Sequence, residues 1–323
     1  TGVEITATER LKGGRNSLVY LLTGERHRFV AKVYPSPGIG QRDRMKSEFD
    51  GLTLLRETGI DSVPAPVLPG NGWAVYEYME GQQVTMGSVS ASDIDQAVRF
   101  LLRLKDLANN GGNRQVGPAA EACLSVQSVF SSIELRLDKL LSLSDDGALQ
   151  ATLRGFLRTE FQPRLFEVKT SVSDELAIQG KSPLSEIRVG HQTLSPSDFG
   201  FHNSLRRPDG TLVFLDFEYF GWDDPAKMIC DFLLHPGMAL SGPLRKRFLE
   251  GILQGFSQQP DLRDRVDLLY PLFALKWCMI LLNEFVPERL VKRSNQETSI
   301  ALEHLQAQQL SKAGYMLGMA STC

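Results

Sequence analysis

The chain has 323 residues, a formal net charge of −3, 42% apolar and 23% charged residues. That length holds one two-lobed domain or two ordinary ones around a substantial core, and without a basic excess to neutralise phosphates no nucleic acid partner is expected. The cysteines Cys123, Cys230, Cys278 and Cys323 form no Cys-x-x-Cys pair and no zinc-spaced cluster with histidine, so they read as buried or incidental thiols.

The amino-terminal residues Thr1 to Ile5 lack the charged-then-apolar pattern of a signal peptide. Lys276 and Pro271 interrupt the longest apolar runs before they reach the roughly 18 residues of a membrane span. A cytoplasmic protein without a membrane partner is expected.

Glu9 to Leu22 alternates apolar and polar residues around Gly13-Gly14, which predicts a hairpin. Arg28 to Tyr34 reads as a third strand, stopped by Pro35 and Pro37. Met45, Phe49, Leu52 and Leu55 at helical spacing predict a helix over Arg42 to Thr58, ended by Gly59. Val63 to Leu68 is a proline-stiffened edge and Trp73 to Met79 a further strand.

After Gly81 the pattern changes. Helices are predicted over Ala91 to Asn109, Leu124 to Leu143 and Leu149 to Leu165, Ser173 to Pro196 is mixed, and Pro225 to Met319 is nearly all helical. The organisation expected is a β-rich lobe over residues 1–80 and a larger helical lobe over 81–323, hinged near Glu77 to Gly81.

The chemistry concentrates in Ser197-Asp198-Phe199-Gly200-Phe201-His202-Asn203, followed after the turn Arg207-Pro208-Asp209-Gly210 by the apolar run Leu212 to Leu215 and then Asp216. An Asp, an Asn five places on, and a strand-like run ending in a second Asp make a phosphoryl-transfer arrangement. A carboxylate at Asp198 can orient an attacking hydroxyl and accept its proton, while the Asn203 amide oxygen and the Asp216 carboxylate can hold Mg²⁺ against nucleotide phosphates. Backbone N–H groups of the Gly13 to Ser17 turn can cover phosphates, with Asn16 or Ser17 adding a side-chain contact. Neither His-Glu-x-x-His nor Gly-x-Ser-x-Gly occurs, which argues against a zinc hydrolase and an esterase.

The segment from Ser197 to Asn203, with Leu215-Asp216-Phe217-Glu218 and Gly221-Trp222-Asp223-Asp224-Pro225-Ala226, resembles the aminoglycoside phosphotransferase and choline kinase family. The resemblance implies an α+β, protein-kinase-like two-lobed fold and a small-molecule kinase. It implies Asp198 as the catalytic residue, Asn203 and Asp216 as metal ligands, and Asp231 as a buried brace of the loop. Lys32, in Val30-Ala31-Lys32-Val33, resembles the lysine that contacts nucleotide phosphates, with Glu48 as its partner. Val75 to Gly81 is similar to the family hinge, so adenine would bond the Glu77 C=O and the Met79 N–H.

Where the family carries a histidine two places before the catalytic Asp, this chain has Pro196. His202 is expected to be a structural or substrate-facing loop residue. Asp223, Asp224, Glu218, Glu284 and Glu288 would suit a cationic or polyhydroxylated acceptor, and Trp222 and Trp277 read as packing residues.

The activity implied is Mg²⁺-dependent transfer of the γ-phosphate of ATP or GTP to a hydroxyl of a sugar, amino alcohol or aminoglycoside-like molecule, by a monomer or homodimer. Pro196 favours a pseudokinase or nucleotide-binding regulatory module as the alternative. A protein kinase fits less well, because Ala-Pro-Glu is absent and Asp216 is followed too closely by Pro225 for an activation segment.

Overall fold

The computed structural model of the chain describes residues 2–11, 17–38, 42–109, 116–144, 147–286 and 299–320. In chain order the elements are β1 (Ile5–Arg10), β2 (Leu18–Gly24), β3 (Arg28–Val33), α1 (Arg44–Glu57), β4 (Pro66–Pro69), β5 (Trp73–Glu77), β6 (Gln82–Gln83) and α2 (Ala91–Asn109). There follow α3 (Val126–Leu141), α4 (Ala148–Phe156), α5 (Gln162–Ile178), β7 (Thr193–Ser195), β8 (Ser204–Arg206), β9 (Leu212–Phe214) and β10 (Gly221–Asp223). The chain ends in α6 (Pro225–Leu234), α7 (Gly242–Gly255), α8 (Leu262–Leu281) and α9 (Ser299–Gly318).

Two compact units emerge. The first comprises Thr1–Ala122, Gly190–Met228 and Gly237–Ser257; the second comprises Cys123–Val189, Ile229–Pro236 and Gln258–Cys323. The first unit therefore joins the N-terminal strands to the Asp198–Asp216 segment, and the expected hinge near residue 80 lies inside it.

In the first unit, β1 to β5 form an antiparallel sheet in the order β1-β2-β3-β5-β4. Proline-bearing β4 takes the edge, where a missing N–H costs no ladder bond. β3 is central, its Lys32 facing Val19 on β2 and Ala74 on β5. Two small sheets, β7 with β10 and β6-β8-β9, frame the Asp198 loop. Asp43 caps α1 by accepting the Lys46 N–H at 3.0 Å.

An aromatic cluster fixes α2 under that loop. Phe100 of α2 stacks on Phe199 at 5.4 Å between ring centroids and tilts against Phe214 at 4.6 Å, and Phe199 meets Phe214 at 4.9 Å. Such contacts add about 0.5–1.5 kcal/mol each beyond area burial. Gly51 lets α1 approach the segment after Asp216, because a Cβ there would stand 2.7 Å from the Phe220 ring.

The second unit is helical. Ser125 opens α3 with a capping box, its Oγ accepting from Ser128 N at 3.1 Å. α4 runs through a π-helical turn at Leu157–Phe161 into α5, which continues to Ile178. The helix ending expected near Leu165 is thus overturned: Phe161, Leu165, Val168, Val172 and Leu176 keep one buried stripe running through Ser173.

A second correction concerns α8. With its terminal 3₁₀ turn it spans Leu262–Phe285, and that helix is long and apolar enough to cross a membrane, with mean hydropathy 1.4. Pro271 and Lys276 lie within it without breaking it, and Lys276 is buried beside Cys123, with Nζ 3.4 Å from Sγ. Two thirds of the apolar window (67%) is buried inside the protein, so its composition serves the unit's own core. Cys123, Cys230 and Cys278 are buried, as expected, and burial raises the Cys278 pKa; Cys323 lies outside the described residues.

Candidate active site

Period-two alternation along β3 sends Lys32 and Tyr34 to the same face. Both reach Glu48 of α1. Lys32 Nζ donates to Glu48 Oε1 at 2.7 Å and Tyr34 Oη donates to Glu48 Oε2 at 2.7 Å, while the Phe217 N–H approaches Oε1 at 3.2 Å. Glu48 is 2% exposed, and these donors together satisfy a carboxylate that burial would otherwise destabilise. Tyr34 Oη also meets Tyr76 Oη of β5 at 2.8 Å, so the network ties sheet, helix and the segment after β9 together.

Lys32 Nζ also donates to Asp216 Oδ1 at 2.9 Å. Burial pulls the ammonium's pKa down, but the carboxylates of Asp216 and Glu48 outweigh it and hold the pKa above the ordinary lysine value. Burial and the Glu48 charge push the Tyr34 and Tyr76 phenols up, so both stay neutral. Asp216 has φ 67°, a left-handed conformation that aspartate tolerates better than most side chains. The structure thus brings Glu48, the expected partner, to Lys32.

The Asp198 loop leaves β7 at Ser195 and returns through a 3₁₀ turn, Phe201–Asn203, into β8. Asn203 Nδ2 donates to the Asp198 main-chain oxygen at 3.0 Å, which turns its amide oxygen the other way. The Asn203 C=O accepts the Leu215 N–H at 2.8 Å, so Asp216 directly follows the residue hydrogen-bonded to Asn203. Asn203 and Asp216 thus offer an amide oxygen and a partly exposed carboxylate, an oxygen-only donor set of the kind Mg²⁺ takes. His202 Nε2 lies 3.1 Å from Asp198 Oδ1.

The remaining expectations fall out unevenly. Ser17 is buried directly before β2, and Asn16 with the Gly13-Gly14 turn lies outside the described residues. Glu77 ends β5, its N–H donating to Ala65 O at 2.8 Å and its carboxylate accepting from Ala65 N at 3.1 Å. Met79 is buried two residues on. Gly81, at φ 156°, permits the close approach to β8 that follows, since a Cβ would stand 2.8 Å from Leu205 Cβ.

The acidic acceptor surface is corrected. Glu218, Asp223 and Asp224 are all buried: Glu218 receives Arg44 at 3.2 Å, Asp223 receives Lys227 at 2.7 Å, and Asp224 Oδ1 caps α6 through Ala226 N at 2.7 Å. Such carboxylates support the fold instead of facing an acceptor. Glu284 is half-buried in the second unit and Glu288 lies outside the described residues. Asp231, expected to be buried, is only half-buried, and accepts from Trp277 Nε1 at 3.0 Å.

Sequence reading did not single out Tyr34, Tyr76 or Lys227. The first had a signal: a tyrosine two places after the lysine on one strand must share its face. Tyr76 gave none, because its partner Tyr34 comes from a distant segment; for Lys227 the spacing of four from Asp223 was a signal, while its contact with Ser197 was not.

A profile of the phosphotransferase enzyme family matches residues 7–269. Among curated proteins no significant match is found. Solved structures similar to this chain include a spectinomycin phosphotransferase in complex with ADP and spectinomycin, at 11% identity and TM-score 0.65, covering 98% of this chain and 94% of that one. A choline kinase from Cryptosporidium parvum Iowa II is similar at 11% identity and TM-score 0.63, over 96% and 88% of the two chains. The choline kinase LicA from Streptococcus pneumoniae is similar at 16% identity and TM-score 0.60, over 98% and 94%. These likenesses show the protein-kinase-like α+β fold, with an antiparallel N-terminal sheet and a mostly helical remainder. With the family profile spanning most of its length, the chain belongs to the phosphotransferase enzyme family.

Proposed function

We propose that the chain is a Mg²⁺-dependent kinase that moves the γ-phosphoryl group of ATP or GTP onto a hydroxyl of a small molecule. The observation that carries this reading is Lys32, bound by the buried Glu48 at 2.7 Å and by Asp216 at 2.9 Å, with the Asp198–Asn203 loop in the same unit. A lysine held in that way is preorganised to meet inner phosphate oxygens. Asp198 orients the acceptor hydroxyl and takes its proton, a role that general-base catalysis values at about 10²–10⁴-fold. Asn203 and Asp216 hold the magnesium ion, which when bound neutralises charge on the transferred group. Glu77 C=O and Met79 N–H receive the adenine or guanine edge, and Ser17 with Asn16 contributes to the phosphate cover.

The names of the similar proteins, choline kinase and spectinomycin phosphotransferase, support amino alcohols and aminoglycoside-like compounds as the first acceptors to try. The test is a transfer screen over amino alcohols, sugars and aminoglycosides with γ-labelled ATP and GTP in parallel. Asp198→Ala should abolish labelling while sparing nucleotide binding; full turnover in that variant would sink the assignment. Pro196 favours a second reading, a nucleotide-binding module without transfer. Nucleotide binding with no labelled product from any acceptor, and no hydrolysis, would select it.

A further inference from the structure

Ser197, immediately before Asp198, has φ 67°. For a serine that left-handed conformation costs about 1–2 kcal/mol and persists only where the surroundings over-determine it. The preceding Pro196 has no N–H and no polar side chain to help. The support comes from elsewhere. Ser197 N–H donates to Ser195 Oγ at 3.0 Å, Ser197 Oγ donates to Ala120 O at 3.0 Å, and Lys227 Nζ donates to Ser197 Oγ at 3.3 Å.

Lys227 is 2% exposed and its partner Asp223, at 2.7 Å, is 0% exposed. Asp223 ends β10, which pairs with β7 so that Asp223 faces Thr193, and its Oδ1 accepts the Asp224 N–H at 2.9 Å. A fully buried ion pair is seldom a net stabiliser: desolvation of both charges roughly cancels their attraction, and an apolar pair of equal volume serves a core as well. What an apolar pair lacks is a donor for Ser197. The ammonium therefore connects the strand beside β7 to the residue whose backbone angles aim the next side chain, that of Asp198.

We propose that Lys227, anchored by Asp223, is a positioning residue that holds Ser197 in its left-handed conformation and so sets the direction of the Asp198 carboxylate. This rests on the assignment of Asp198 as the reacting carboxylate. The tether itself is testable without turnover.

The experiment is amide hydrogen exchange on the full chain, comparing wild type with Lys227→Met and Ser197→Ala. The amides of Ser197, Asp198 and Asn203 are all hydrogen-bonded within the loop. They should exchange at least about tenfold faster in both variants, while amides of β2, β3 and β5 keep their wild-type rates. Unchanged loop rates would overturn the proposal, and so would a uniform rise across loop and sheet, which is the mark of a pair that only stabilises the fold. If Lys227→Met does not fold, Ser197→Ala decides alone, because it leaves the Lys227–Asp223 pair in place. Where transfer is measurable, kcat should fall about tenfold with nucleotide Kd unchanged, and a matching loss of nucleotide affinity would count against a role through Asp198. A wild-type chain without turnover bears on the proposed reaction only, and the exchange result still decides the tether.

Discussion

Lys32 Nζ lies 2.9 Å from Asp216 Oδ1, joining a central strand of the N-terminal sheet to the residue that ends the β9 run. The same ammonium sits 2.7 Å from Glu48, so two carboxylates hold one cation. Its pKa is raised above the ordinary 10.5 despite burial. A raised lysine pKa gives stabilisation that is complete below the unfolded value of about 10.4 and is lost only as pH climbs past it. Lys32 therefore stays cationic throughout the neutral range. Lys32→Met leaves Glu48 buried without its cation and should cost about 3 kcal/mol of stability, read by urea unfolding. It should also weaken nucleotide binding by calorimetry; wild-type affinity would remove Lys32 from the phosphate site.

Tyr34→Phe deletes the donor to Glu48 Oε2 and leaves Tyr76 Oη without that contact. Removing one partner of a buried hydrogen bond costs about 1–3 kcal/mol. Because Glu48 in turn holds Lys32, nucleotide affinity should fall along with the melting temperature, whereas a pure packing residue would lower only the latter. Burial and Glu48 raise both phenol pKa values, so neither Tyr34 nor Tyr76 should ionise in an absorbance titration carried through pH 10 in the folded state. Stability contributed by these neutral phenols is present below the unfolded tyrosine pKa of about 10 and declines as pH rises beyond it.

Local signals carried far in this chain. The strand alternation around Lys32 and the helix bearing Glu48 survive into the structure with their boundaries within a few residues, and Asp198, Asn203 and Asp216 fall in one unit. Long-range partners were the invisible part. Nothing near Lys227 in sequence announces Ser197, thirty residues away, as its acceptor. Nor does the composition of Glu218, Asp223 and Asp224 distinguish a buried ion pair and a helix cap from an acceptor-facing acidic patch. Likewise the run from Ser173 reads as irregular because only Leu176 continues the buried stripe of Val168 and Val172 there, among polar residues.

His202 Nε2 is 3.1 Å from Asp198 Oδ1, and Asn203 Nδ2 is 3.4 Å from Oδ2. The histidine thus constrains one carboxylate oxygen while the other is left toward Asn203. His202→Ala should lower kcat about tenfold, equivalent to about 1.4 kcal/mol, with nucleotide Kd and melting temperature close to wild type. His202→Gln, which retains an N–H donor of similar reach, should recover part of the loss. Equal turnover in wild type and His202→Ala would show that the contact does not serve the reaction.

Asp93 opens α2 and is 2% exposed, accepting from Ser90 N–H and Oγ at 2.7 Å and from Arg206 Nη2 at 2.7 Å. Burial alone would raise its pKa, but the Ser90 and Arg206 hydrogen bonds win and hold it below the ordinary 3.8. A depressed carboxylate pKa gives stabilisation that is fully present above the unfolded value of about 3.9 and disappears as pH falls through the folded one. Arg206 belongs to β8, directly after Asn203 and its loop, so this pair also ties that loop to α2. Asp93→Asn keeps the shape and removes the charge. It should cost about 1–3 kcal/mol at pH 7, and the gap to wild type should narrow as the unfolding series is taken below pH 4. A deficit that persists unchanged at the lowest pH would mean that the Asp93 charge is not what links helix and loop.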